Sequence, residues 1–244
     1  MDLAGTGDSV RSEPGSGAPA RRRALIAACL AHSLHDGYTD QLYALLPVWQ
    51  AQFGLSYAGL AVVRALYYGT MSALQIPGSR LIKPLGGRTA LVLSTIVAAS
   101  GFLLMGLPLG FAGLCGGLML AGAGSSVQHP RASLLITNAY EGSSRGPLGI
   151  YNFAGDLGKA TLPAMVAVLL SLLMWRSVVA LMALLGFAVG VMLFRMIPNR
   201  PPQYVPDPMQ PARAKEHSGF GLLMAIGALD TAARMGFLLF LPFL

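Results

Sequence analysis

The chain has 244 residues, 54% of them apolar and only 11% charged, with a mean hydropathy of +0.59. A soluble domain carries about 25% charged residues, so the composition excludes one and indicates an integral membrane protein, divided into spans of about 20 apolar residues. The net charge of +7 invites a nucleic-acid partner, but the basic residues sit at span ends and in loops, which removes the need for one.

Met1–Ala20 is rich in Gly, Ser, Pro and Ala without apolar periodicity, and residues 1–23 are expected to form a disordered cytoplasmic tail. Arg21, Arg22 and Arg23 abut an apolar run that is too long, and too charged, for a signal peptide. That run, Ala24–Trp49, carries His32, His35, Asp36 and Asp40 in its interior. At about 100° per residue, His32, Asp36, Thr39, Asp40 and Tyr43 share one stripe, with His35 at its edge. A charge at mid-membrane costs roughly 3 kcal/mol on insertion scales, so ionisable groups there face a bundle interior and mark an ion or substrate path. One wet cavity is expected beside this helix.

Six further apolar segments follow, Ser56–Pro77, Ala90–Leu107, Gly110–Asn138, Gly146–Leu173, Trp175–Ile197 and Gly219–Leu244. They predict seven spans: a six-helix unit over 24–197, a linker over 198–218 and a seventh helix over 219–244. Pro198, Pro201, Pro202, Pro206, Pro208 and Pro211 exclude a helix from the linker. Arg11, Arg21–Arg23, Arg80, Lys83, Arg88, Arg145, Arg195, Arg200, Arg213 and Lys215 lie in the tail or in alternate loops, and the opposite loops hold only Arg176. Loops rich in Lys and Arg stay cytoplasmic, which puts the N-terminus and the linker inside.

Other spans supply further polar walls. The second aligns Arg64, Tyr67, Tyr68, Met71 and Gln75; the fourth carries Ser125, Gln128, His129 and Arg131; the fifth aligns Asn152, Asp156 and Lys159; the seventh has Asp230 and Arg234. Structural ion pairing is the alternative reading, strongest for Asp156 and Lys159, which lie one turn apart. Arg131 either joins the cavity or snorkels to the interface. Pro130 cannot donate to the helix ladder, so a kink or hinge is expected near Ser126.

Enzymatic and metal chemistries find little support. Cys29 and Cys115 are isolated, His32 and His35 with Asp36 form a weak zinc signal, and no H-E-x-x-H, nucleophile elbow or Walker A motif occurs. No metal, cofactor or catalytic residue is expected. The two ends of the chain echo each other instead: Asp36-Gly-Tyr-Thr-Asp40 with Leu45-Leu46-Pro47, and Asp230-Thr-Ala-Ala-Arg234 with Phe240-Leu241-Pro242. Such a repeat fits two halves related by an axis along the membrane normal.

Gly122-Ala-Gly-Ser-Ser-Val-Gln-His129-Pro130-Arg-Ala-Ser133 is similar to a G-x-G-S-S-V-x-H-P-x-x-S signature, Asn152-Phe-Ala-Gly-Asp-Leu-Gly158 to a Q-V-G-G-N-x-G segment, and His32-Ser-Leu-His-Asp36 to an opening of the first span. On these motifs the chain resembles the major facilitator superfamily, and within it the fosmidomycin-resistance type, over about Ala27 to Leu172. Arg131 stands where that type often has an acid, Asp156 where it has Asn, and Lys159 where it has an apolar residue. The loop motif G-x-x-x-D-R-x-G-R-R is degraded to Ser79-Arg-Leu-Ile-Lys-Pro-Leu-Gly-Gly-Arg88, with Lys83 at the Asp position.

The resemblance implies an all-α polytopic membrane helix bundle of the inner membrane, comprising an N-terminal half plus the seventh helix, with a C-terminal half missing. It implies a secondary transporter, proton-coupled, exporting small drug-like compounds by alternating access. Uptake of an organic anion or sugar is the competing transport reading, and a non-transporting receptor or inactive fragment the other. The partners expected are a small-molecule substrate, protons and the lipid bilayer. Residues 1–244 alone are expected not to transport.

Overall fold

The computed structural model describes residues 17–140, 142–198 and 219–241. The described residues form eight helices: α1 (Ala18–Phe53), α2 (Tyr57–Leu81), α3 (Gly87–Gly106), α4 (Gly110–Ser125), α5 (Gln128–Ala139), α6 (Arg145–Leu170), α7 (Trp175–Met196) and α8 (Phe220–Phe240). The all-α expectation holds, and no strand occurs among the described residues.

The first helix begins earlier than its apolar run. Pro19 lies in its first turn, where the missing N–H costs nothing and the fixed φ suits a helix, so Ala18–Arg23 are helical rather than part of a disordered tail. Residues 1–16 of that tail, and 199–218 of the linker, lie outside the described residues. At its other end α1 stops at Gly54, whose φ of 63° is left-handed and whose N–H returns to the Gln50 carbonyl. Ser56 then caps α2, its hydroxyl accepting from the Gly59 N–H at 3.2 Å.

By length and composition four helical segments suit a membrane crossing: α3, the run Gly110–Ala139 made of α4 and α5, α6 and α7. The run Gly110–Ala139 is interrupted at Ser126–Val127, one turn ahead of Pro130, where the kink was expected. Pro130 has no N–H for the Ser126 carbonyl, and the ladder restarts with Arg131 N–H to the Val127 carbonyl.

Around α1 the bundle is wrapped by α6, α5 and α7, while α3 packs between α4 and α7 and α2 lies on α4. The core holds Tyr38, Leu42, Leu45, Leu46, Trp49, Tyr67, Phe102 and Leu118, all buried. Tyr38 donates its hydroxyl hydrogen to the Met182 carbonyl, tying α1 to α7. In lipid, small residues let helices close, and α6 meets α1 through Gly155 and Gly158: a Cβ at Gly158 would strike the Ser33 carbonyl, and one at Gly155 would lie 2.7 Å from His32 and 2.8 Å from Asp36. Close approach of α6 is what brings its polar residues to those of α1. Helix α8 joins the core cluster through Leu238.

Candidate functional site

Asp36 is the centre of the polar interior. It is 6% exposed, and three groups converge on its carboxylate. His32 Nε2 lies 3.1 Å from Oδ2, Lys159 Nζ 3.0 Å from the same oxygen, and His129 Nε2 3.3 Å from Oδ1. The i,i+4 spacing stacks His32 below Asp36 on one face of α1, α5 delivers His129, and α6 delivers Lys159. Lys159 also reaches Asp156 Oδ1 at 3.3 Å, the one-turn pair expected from sequence, so the ammonium bridges two carboxylates.

The tautomer of His32 follows from its far side. Nδ1 sits 2.9 Å from the Tyr151 carbonyl, and a carbonyl only accepts, so Nδ1 carries hydrogen. In a neutral ring Nε2 is then a bare lone pair facing a carboxylate oxygen. Attraction across that 3.1 Å gap requires a cation on or beside Nε2. Tyr151 also stacks on His32 at 3.9 Å between centroids, and His129 meets it edge-on at 4.9 Å, which fixes the ring plane.

A cavity of about 420 Å³ opens over this cluster, lined by His32, Asp36, His129, Ser133, Tyr151, Asn152, Asp156 and Lys159. Six of the eight were expected. Tyr151 and Ser133 were not, although Tyr151 adjoins Asn152 and Ser133 closes the quoted His-Pro signature; neither has a charge to flag it. With neutral histidines the cavity's fixed charges are two carboxylates against one ammonium. His32, Asp36 and His129 place ligand atoms within 4.8 Å of one another, as a metal ion would require, with the third group coming from a helix remote in sequence. The Lys159 ammonium already stands against Asp36 on that ground.

The single stripe expected on α1 is divided among three neighbours. Arg64, from the polar wall of the second span, lies a turn further on than Asp36: its guanidinium covers the Tyr43 ring at 3.9 Å and the Tyr68 ring at 4.4 Å, and donates to the Thr39 carbonyl at 3.0 Å and the Tyr68 hydroxyl at 2.7 Å. Cation–π contact and two hydrogen bonds hold it in this clamp. Asp40, half-buried, lies on this side beside Tyr68.

His35 turns the other way, towards α3 and α4, and does not line the cavity. Its Nδ1 is 3.2 Å from Ser125 Oγ and its Nε2 3.2 Å from Thr95 Oγ1. Thr39 donates to the His35 carbonyl at 2.9 Å, so Tyr67, 3.0 Å away, donates to Thr39, and Ser125, 2.9 Å from Tyr67, donates to Tyr67. Ser125 then accepts from His35 Nδ1–H. Thr95 has one hydrogen for both His35 Nε2 and the Leu91 carbonyl at 3.0 Å. This closed network ties four helix segments together.

Other expected residues fall away from the cavity. Arg131 is half-buried and donates to the Ser79 carbonyl at 3.2 Å, pinning α5 to the end of α2. Gln75 is exposed on α2 and does not line the cavity. Asp230 is exposed on α8, and the side chain of Arg234 lies outside the described residues. Pro130 is exposed beside His129.

The sequence profile of the Major Facilitator Superfamily matches residues 25–244. A curated relative, the fosmidomycin resistance protein of Escherichia coli (strain K12), is 25% identical over 145 residues, which cover 59% of this chain and 36% of that protein. Among solved structures, a mutant of the peptide transporter POT in complex with sulfate superposes with a TM-score of 0.64 at 20% identity, over 88% of this chain and 46% of that one. A POT family transporter in complex with 5-aminolevulinic acid gives 0.64 at 17% identity, over 87% and 46%. The chain therefore spans about a third of the curated relative and under half of the solved ones. It is a multi-pass membrane protein, and it belongs to the Major Facilitator Superfamily.

Proposed function

We propose that this chain forms the N-terminal half and seventh helix of a proton-coupled secondary transporter that exports small drug-like compounds across the inner membrane by alternating access. The observation that carries the reading is the His32–Asp36 pair at the cavity wall. With Nδ1 committed to the Tyr151 carbonyl, one proton shared between His32 Nε2 and Asp36 Oδ2 turns a lone-pair conflict into a charge-assisted hydrogen bond and neutralises the cavity. Lys159 is the alternative neutraliser of the same oxygen. The Asp36 carboxylate, with two exchangeable cations, is suited to taking up and releasing a proton as the exposure of the cavity changes.

Seven crossings, 24–197 as one six-helix unit, 198–218 as a cytoplasmic linker and 219–244 as the start of a second unit complete the proposal, with the N-terminus inside. Alternating access then means rocking of two halves about this midplane cavity. The break at Ser126–Val127 next to His129 offers a hinge in the cavity wall. The test is flux of a labelled compound from liposomes containing the complete two-half transporter of which this chain is a part, with and without an imposed pH gradient. Gradient-driven flux abolished by Asp36→Asn supports the reading; flux that ignores the gradient, or survives that change, refutes it.

A further inference from the structure

We infer that the cavity recognises a primary ammonium group, so that its substrate class is small organic amines, with Lys159 acting as a tethered competitor for the same place. The inference rests on the transport reading only in calling the ligand a substrate.

Lys159 itself demonstrates the recognition geometry. Its Nζ stands 3.0 Å from Asp36 Oδ2 and 3.3 Å from Asp156 Oδ1, so two carboxylates from different helices converge on one ammonium-sized position. An ammonium offers three donors and no acceptor. Ser133 and Asn152, whose side chains can each accept a hydrogen bond, line the same cavity as the two carboxylates.

Charge selects the same class. Asp36 and Asp156 against Lys159 leave one excess negative charge when the histidines are neutral. A second cation relieves it, whereas an anion entering beside Asp36 meets the like charge of a carboxylate that is itself buried. The proton of the transport reading and an amine are thus equivalent neutralisers, which is the condition for exchanging one for the other.

Lys159 is able to yield. Its side chain is 38% exposed against 8% for that of Asp36, and its four-carbon stem is flexible. Asp156, 72% exposed at the side chain, lies at the mouth and retains the displaced lysine or hands it to water. A ligand amine therefore competes with a group whose effective concentration is high, and removing that group should tighten binding.

The experiment is calorimetric titration of the purified protein in detergent at pH 7.5 with three probes of matched size: phenethylamine, phenylphosphonate and benzyl alcohol. Phenethylamine is expected to bind saturably and the other two not. Lys159→Met should tighten phenethylamine about tenfold, and Asp156→Asn, at an exposed position with no folding role, should weaken it about tenfold. Asp36→Asn should abolish it. Phenylphosphonate binding that Lys159→Met removes overturns the inference in favour of an anion site, and absence of phenethylamine binding to the Lys159→Met protein overturns it outright. Equilibrium binding separates the two readings: amine binding without gradient-driven flux sinks the transport reading alone, and gradient-driven flux with anion binding sinks this one alone.

Discussion

Replacing Gly158 with alanine tests whether contact between α1 and α6 builds the site. A Cβ at this position would strike the Ser33 carbonyl and lie 2.8 Å from the Ser33 Cα. Carbon atoms rest at about 3.5–4.0 Å, so α6 must retreat by about 1 Å. Backbone cannot rotate aside as a side-chain tip can, and overpacking of this kind costs about 1–3 kcal/mol. On the scale of a 150–250 residue domain that lowers the unfolding midpoint by about 2–4 °C per kcal/mol. The readout is thermal unfolding followed with a thiol-reactive dye, for which Cys29 and Cys115, the chain's two cysteines and both half-buried, are the reporters. Gly149→Ala in the same helix is the control, because nothing lies within 4 Å of its Cβ position; it should hold or raise the midpoint, since alanine favours a helix over glycine by about 1 kcal/mol in water. A Gly158→Ala protein that unfolds with the Gly149→Ala protein would refute the view that helix approach at this glycine sets the interface.

Gly155→Ala should behave differently, because the atoms nearest its Cβ are the side-chain ends of His32 and Asp36, at 2.7 and 2.8 Å; ligand binding should fall at least as much as stability, which calorimetry beside the thermal assay will show. Arg64→Lys keeps the charge but loses the fork that reaches both the Thr39 carbonyl and Tyr68; a midpoint drop matching about 1–2 kcal/mol is expected, and an unchanged midpoint would remove the clamp from the stabilising contacts. Pro130→Ala that preserves both expression and flux would show the break ahead of it to be packing rather than hinge.

What the sequence could convey about this site depended on whether a contact was local. The Asp156–Lys159 pair was legible because one helical turn separates its members, and His32 under Asp36 was legible for the same reason. The convergence of His129 and Lys159 on Asp36 was legible in kind, since charges on separate spans must meet somewhere, but not in partner: four acids and four bases allow many pairings. Packing decided among them. The two glycines of α6 bring that helix against His32 and Asp36, so the cation that reaches Asp36 comes from α6, while Arg64 is captured a turn away by aromatic faces that periodicity does not weigh as ligands. His35 shows the same limit from the other side. At about 100° per residue it is only one step round from Asp36, close enough to be grouped with the stripe, yet that step turns it from a cavity wall to a joint between α3 and α4 where Thr95 and Ser125 await it. Hydroxyl and carbonyl partners such as these, and the Tyr151 carbonyl that fixes the His32 tautomer, carry no sequence signature of their own. They nonetheless decide where each histidine stands: His32 against the Asp36 carboxylate at the cavity wall, His35 enclosed by hydroxyls between α3 and α4.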